Sequence, residues 1–504
     1  MKISKKVWLL IIIPVVLFVL YIALTNWLEG TLTEKLEKLE ESDLSITYQD
    51  LDVDMIKRQI RMDAVKISKK NHFEVFADHI SLSGIHVMEL INKEKIIASD
   101  LLINHPKIIT FKKDSIDKRL RERSDTPKEF TFAVDKLTVK NGTATLQKER
   151  TDDRYALRIS DFSIQASELV ISDETIAGDI PVRVKDHYAE LSNITSYPDS
   201  LNKLTVARVV STPEEISAFN YSLDPLDSLD TFIRKLSNEK DYIKLFGEKL
   251  TIRRPLIKKV DDKKMYTADG IYLDSLALDI YRDKRLPDDL TEKPMYSALL
   301  RAIPFGIDID SLSITKGFIK YKEQPDNDAD PGLLEFHKLN LATQRISNLP
   351  DADTIKVIVT AKYMDQAPIK LDWRFDVNDS TDVFTIRGSI LDVRDTSMNA
   401  FIAPTLNIEG EGKLDALYYN YRGNNYKARG ATMVNFEGFN LKPVKGKAKL
   451  VTSILTKVAN LFLNAVDENE IESERGIEVL RDQSKSFWNY FWLCVKKSLV
   501  EAIK

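Results

Sequence analysis

Histidines, cysteines and clustered carboxylates are the side chains that most often carry metal or acid–base chemistry, and in this sequence they are scattered. The six histidines are His72, His79, His86, His105, His187 and His337, and none makes the i,i+4 pair of a helical zinc site. His72, His79 and His86 are too far apart to share one strand, so they read as surface or edge groups. Asp326, Asp328 and Asp330 have the alternate spacing of a calcium loop. Pro331, however, stands where that loop needs glycine, and His337 where it needs a bidentate glutamate. The segment reads as a solvated hairpin loop. Glu409-Gly410-Glu411-Gly412-Lys413 lacks phosphate-loop spacing, since Leu414 follows the lysine, and reads as a strand connection. No Gly-x-Ser-x-Gly elbow occurs. Cys494, the single cysteine, lies in an apolar stretch with no histidine close in sequence, so it suggests neither an activated thiol nor an internal disulfide. The expectation is a non-enzyme with no catalytic residue, metal site or cofactor.

The elements that would position any site begin with the N-terminus. Val7 to Leu28 reads VWLLIIIPVVLFVLYIALTNWL, without a charge before Glu29. As a helix it would span roughly 33 Å, the thickness of a bilayer's hydrocarbon core. Trp8 and Trp27 sit near its two ends, where indole rings favour the headgroup boundary, and Pro14 is tolerable in lipid. Lys2, Lys5 and Lys6 precede the run, which leaves residues 1–6 cytoplasmic and sends the rest across. A cleaved leader would have a shorter apolar region and a small-residue cleavage site, and Ala23-Leu24-Thr25 followed by Trp27 is a poor match. The run therefore reads as a retained anchor.

Beyond a polar helical stem at 29–43, the apolar period shifts to two, beginning at Ile46/Tyr48 and Val53/Met55 and returning as far as Phe384/Ile386. This predicts successive antiparallel strands over 44–443, with a more helical insertion at about 213–246. Hydrophobic residues make up 43% of the 504 residues and charged residues 30%, enough for a core and a solvated exterior. Lys+Arg 73 against Asp+Glu 77 gives a net charge of -4, without the basic excess of a nucleic-acid binder. One unit recurs three times: DLLINHPKIITFKK from Asp100, KLTVKNGTATLQK from Lys136 and SLSITKGFIKYK from Ser311. Aligned, Leu101/Leu137/Leu312 and Ile103/Val139/Ile314 fall on one strand face. Pro106/Gly142/Gly317 mark a turn, and Ile108/Ala144/Ile319 begin a return strand. Residues 444–504 predict two amphipathic helices, one over roughly 447–466 and one carrying Phe487, Trp488, Phe491 and Trp492. Two roles remain open for these helices. They pack on the end of the sheet, or the aromatic stripe contacts a membrane or a protein partner.

The segment HISLSGIHVMELINKEKIIASDLLINHPKIITFKK resembles the N-terminal region of AsmA-like envelope proteins. It has a strand, a short helical turn at Met88–Ile91, and then Ile96, Ala98, Leu101, Ile103, Pro106 and Ile108 in the family's spacing. IEGEGKLDALYYNYRGNNYKARGATMVNFEGFNLKPV is similar to the late strands of the same group as found in Bacteroidota. The resemblance covers the two ends of the chain and is loose in the middle. It implies a mainly β fold, a long twisted antiparallel groove that carries lipid acyl chains along an apolar face. Leu101, Ile103, Leu137, Val139, Leu312, Ile314 and Ile319 would line that groove. It further implies a single-pass protein of a bacterial inner membrane with its bulk in the periplasm, taking phospholipid or another lipid as ligand and an outer-membrane or envelope protein as partner. A scaffold for outer-membrane components that binds no lipid is the alternative.

Overall fold

A computed structural model describes residues 44–69, 72–87, 95–111, 131–147, 155–172, 182–260, 263–326, 329–444 and 475–502, together with 89 and 174–175. The expected anchor with Trp8, Pro14 and Trp27, the stem at 29–43 and the helix over 447–466 lie outside the described residues. Among the described residues, no helix is long and apolar enough to cross a membrane. The fold is mainly β, and the chain divides into two compact units.

The first unit holds β1 (Leu44–Thr47), β2 (Asp50–Asp54), β3 (Gln59–Lys69), β4 (Phe73–Ser83), β5 (Ile96–Asn104), β6 (Lys107–Phe111), β7 (Thr131–Gln147), β8 (Tyr155–Ser172), β9 (Asp186–Ser196) and β10 (Asn202–Ser211). β1 and β2 both pair with β3, which pairs with β4. β5 and β6 together form one interrupted strand, antiparallel to β4 and parallel to β7. β8, β9 and β10 follow as antiparallel neighbours.

The second unit repeats this plan. Its ladder runs through β11 (Glu215–Pro225), β12 (Tyr242–Arg253), the interrupted pair β15 (Gly270–Asp274) and β16 (Ala277–Asp283), β18 (Leu312–Gln324), β19 (Gly332–Thr343) and β21 (Ile355–Tyr363). It then continues through β22 (Ala367–Phe375), β23 (Phe384–Arg394), β24 (Ile408–Gly423), β25 (Lys427–Pro443) and β26 (Arg475–Leu480). Helices α1 (Leu229–Arg234), α2 (Tyr296–Arg301), α3 (Asp395–Leu406) and α4 (Phe487–Ala502) are set between and after the strands. A separate small sheet joins β13 (Leu256–Val260), β14 (Lys263–Ala268), β17 (Gly306–Ile309) and β20 (Ile346–Ser347).

The duplication holds residue by residue. β4 meets the interrupted strand through His79↔Asn104 and Leu82↔Leu101, and β12 does so through Lys249↔Asp274 and Ile252↔Ile271. The β7–β8 register slips on either side of Gly142↔Phe162 and once more before Gln147, and the β18–β19 register slips on either side of Gly317↔Leu339.

The expectation of hairpins at Pro106, Gly142 and Gly317 is corrected here: the chain runs straight on. His105, Asn141 and Lys316, each just before the supposed turn, take positive φ of 48°, 53° and 52°. One left-handed residue adds a position to the strand and bends it, as a bulge does, without reversing its direction. The side-chain period changes from two to three at that point, then returns to two. Leu137, Val139, Gly142 and Ala144 show this spacing, and so do Leu312, Ile314, Gly317 and Ile319. Glycine is required at 142 for close approach, because the Phe162 ring lies directly over it, and at 317 the approach of Leu339 is tight but less so.

Two further expectations change. The sheets are mixed, because the strands within each repeated pair run parallel. The stretch at 213–246 holds β11 and the start of β12, with only the short α1 as helix. Ile216, Ala218, Tyr221 and Leu223 alternate along β11, and Asn220 at φ 47° supplies the same extra position.

Candidate functional site

Ladder partners share a sheet face, so the registers show which side chains form continuous rows. In the first unit one row passes through Leu51, Met62, Ile80, Ile103, Val139, Ile164 and Ala189, one residue from each of seven successive strands. Beside it lies a second row of Val53, Ile60, Leu82, Leu101, Leu137 and Ala166. Beyond the bulges, Ile67, Val75, Ile108, Ala144, Ile159 and Ile194 form a third. The opposite face carries Asp52, Arg61, Ser81, Leu102, Thr138, Gln165 and Tyr188, polar at all but one position. The sheet is therefore sharply two-sided.

Most of these apolar side chains, Leu101, Ile103 and Leu137 among them, are only half-buried. Val139 is buried by its neighbours in the row. Among the described residues of the first unit, no helix packs over the face. The second unit starts the same way, with Ile271 beside Leu312 and Leu273 beside Ile314, all half-buried. Ile319 continues the face between Leu278 and Phe336. The sequence thus placed Leu101, Ile103, Leu137 and Val139 on one surface, and Leu312, Ile314 and Ile319 on its counterpart. Ile271, Leu273 and Leu278 form a fourth copy that sequence reasoning missed. Their spacing is the signal that finds them, though Leu276 stands where the other copies have glycine or proline.

At the C-terminal strands the face is covered. Phe487 of α4 stacks on Trp373 at 4.8 Å between ring centres and meets Phe384 edge-on at 5.1 Å. Phe491 lies against Tyr419 at 5.3 Å, and the Tyr421 hydroxyl donates to Ser498 Oγ at 2.9 Å. Beneath the helix, Ile386 and Tyr421 are 0% exposed. Burial pushes the Tyr421 phenol and the Cys494 thiol each up to about 12. Helix α3 extends the cover: Phe401 touches Trp492 and Tyr321, and the Tyr363 hydroxyl donates to the Ser397 carbonyl at 2.9 Å. Phe487 and Phe491, candidates for membrane or partner contact, are thus committed to the protein's own core. Trp492 is half-buried against α3, and Trp488 stays 45% exposed with its indole N–H donating to Tyr296 at 3.0 Å. The glycine-rich run at 409–413 lies inside β24 instead of connecting strands. There Asn399 of α3 brackets Gly410, donating to its carbonyl at 2.9 Å and accepting from its N–H at 2.7 Å.

The histidines serve the sheet surface. His79 pairs with Asp63 at 2.7 Å, His187 with Ser211 at 2.9 Å and His337 with Glu335 at 3.0 Å. His105 bridges Asp78 and the Asn141 amide at 3.3 Å each, along the line of bulges. Among the described residues, no three His, Cys, Asp or Glu side chains come together to hold a metal. What this arrangement can do is shield apolar matter from water on one side and remain soluble on the other. No protein-family model matches the sequence, and no curated protein matches it.

Proposed function

We propose that this chain is a non-enzymatic, AsmA-like lipid-binding protein of a bacterial envelope. The run Val7 to Leu28 anchors it in the inner membrane, and the apolar sheet face receives acyl chains in a bent groove. One observation carries this proposal. Seven successive strands of the first unit carry a continuous apolar row in which Met62, Ile80, Ile103, Ile164 and Ala189 are only half-buried, while the corresponding face at the C-terminal strands is dry beneath its own helices. Exposed apolar surface of that extent is costly in water, and hydrocarbon tails are a ligand that would cover it without hydrogen bonds. The bulges, which increase bending and twist, suit a sheet that must curve around such a ligand.

The test is photo-crosslinking in living cells, with a photoreactive residue placed singly at Leu137, Ile314, Thr138 or Tyr421 of the full-length protein. Lipid adducts should form at Leu137 and Ile314. They should be absent at Thr138 on the polar face and at Tyr421 beneath α4. Protein adducts at Leu137 in place of lipid would instead favour an envelope scaffold. Ile314→Asp should yield a folded protein without lipid, because a tail cannot solvate a carboxylate.

A further inference from the structure

Among the described residues, the small sheet β13–β14–β17–β20 has no counterpart in the first unit. Its strands come from three connections of the second ladder: between β12 and β15, between β16 and β18, and between β19 and β21.

Their outermost hairpin is unusually apolar for its exposure. Every residue of β13 faces solvent, with Leu256 50%, Ile257 45% and Val260 47% exposed. Across the ladder, Ile257 pairs with Tyr266, itself 38% exposed and 4.8 Å from the ring of the equally exposed Phe305. Cations are interleaved with this surface. Residues 253–268 contain six basic residues against Asp261 and Asp262. Lys258, Lys259, Lys263 and Lys264 are all exposed. Nearby, Arg254 pairs with Asp269, and Arg345 pairs with Asp308 on β17 at 2.6 Å.

We propose that the β13–β14 hairpin docks on an anionic membrane surface. Apolar side chains entering the headgroup boundary, with lysine ammonium groups reaching phosphate beside them, are the two contributions that hold interfacial elements on charged bilayers. Lysine is well suited to this, since its stem lies along apolar surface while its charge stays in the polar layer. A second copy pairing along β13 is disfavoured, because lysines on an edge strand oppose one another in such a pair. This proposal is independent of the acyl-chain groove, since it concerns a different sheet and the polar layer of the membrane.

The experiment uses full-length protein carrying Val260→Cys, labelled there with an environment-sensitive nitrobenzoxadiazole dye; the native Cys494 is buried. The protein is reconstituted in phosphatidylcholine vesicles. A second set of vesicles is then added, made of phosphatidylcholine alone or with phosphatidylglycerol. The expected result is a blue-shifted, brighter emission with the phosphatidylglycerol vesicles only, suppressed by high salt. Replacing Lys258, Lys259, Lys263 and Lys264 by Gln should weaken it by roughly fivefold per lysine. Circular dichroism of that variant should match the parent, because all four side chains are solvent-exposed; if it does not, Lys258→Gln with Lys259→Gln alone serves. An equal response to neutral and anionic vesicles, or none to either, overturns the proposal. So does a response that needs no vesicles and grows with protein concentration, which would reveal pairing of two copies.

Discussion

The N-terminal ladder and the C-terminal strands are built on the same alternation, yet one leaves its apolar face half-open and the other seals it. The difference lies in side-chain type as well as in the covering helices. The open rows are aliphatic: Leu101, Ile103, Leu137, Val139 and Ile164. The sealed face is aromatic, with Trp373, Phe375, Phe384, Tyr419 and Tyr421 interleaving with Phe487 and Tyr490. Rings bury large areas and gain from edge-on and offset contacts with other rings, so they reward a fixed packing partner. Branched aliphatic chains need no particular orientation from whatever covers them. Aromatic content thus marks the face that its own helices seal, and aliphatic content the face left half-buried.

Truncations test that contrast most directly. Phe487→Ala should cost about 3–5 kcal/mol, because it opens a cavity among four aromatic rings. Leu137→Ala removes a half-buried side chain and should cost only about 1 kcal/mol in denaturant melts. Equal costs would mean that the N-terminal face is packed after all. Next in size, Gly142→Ala should lose about 1–3 kcal/mol, since a methyl group there meets the Phe162 ring. Gly317→Ala should lose less, because a methyl group there would meet Leu339 Cδ2 and the Leu339 carbonyl oxygen at 3.1 Å, a milder crowding than at Gly142.

The alkaline limb of stability should come from the sealed region. Cys494 and Tyr421 stay protonated in the fold up to about 12. In the unfolded chain they ionise at roughly 8.5 and 10. Above those values the unfolded state alone gives up the proton, so stability falls with rising pH until the folded values are reached. The slope is about 1.4 kcal/mol per pH unit for each group. Hydrogen exchange measured from neutral pH upward should show the strands under α4 losing protection before the first unit does. Smallest of all, alanine at each of the six histidines should shift stability by about 0.5 kcal/mol or less. A histidine whose loss abolished function in a folded protein would point to chemistry that the geometry does not reveal.

Alternation made the strands legible in the sequence, and the repeat put seven apolar residues on matching faces. What misled was the chemistry of the break. Asn141-Gly142 and His105-Pro106 carry residues that favour turns, and the same tolerance of positive φ serves a bulge equally well. Local sequence does not distinguish a reversal from a bend; only the partner strand decides. The copy at 271–278 escaped notice because Ser275 takes φ 55° without a glycine or proline after it. Asn220 hid β11 in the same way, by breaking the period-two signal in the middle of the strand. The destination of α4 was unreadable for another reason. An aromatic stripe suits a bilayer and a sheet equally, and the receiving rings lie more than sixty residues away in sequence.

The duplicated register also creates a hazard during folding. While the chain is still assembling, β7 would present β19 with the same slip around a glycine that it presents to β8. Tandem copies of this kind invite one repeat to annex strands of the other. The fillers differ, however: a phenyl ring lies over Gly142 and a leucine over Gly317. A strand that strays into the wrong repeat carries a filler shaped for the other bend. The difference in how Phe162 and Leu339 seat on glycine would therefore penalise an exchange of strands between the repeats.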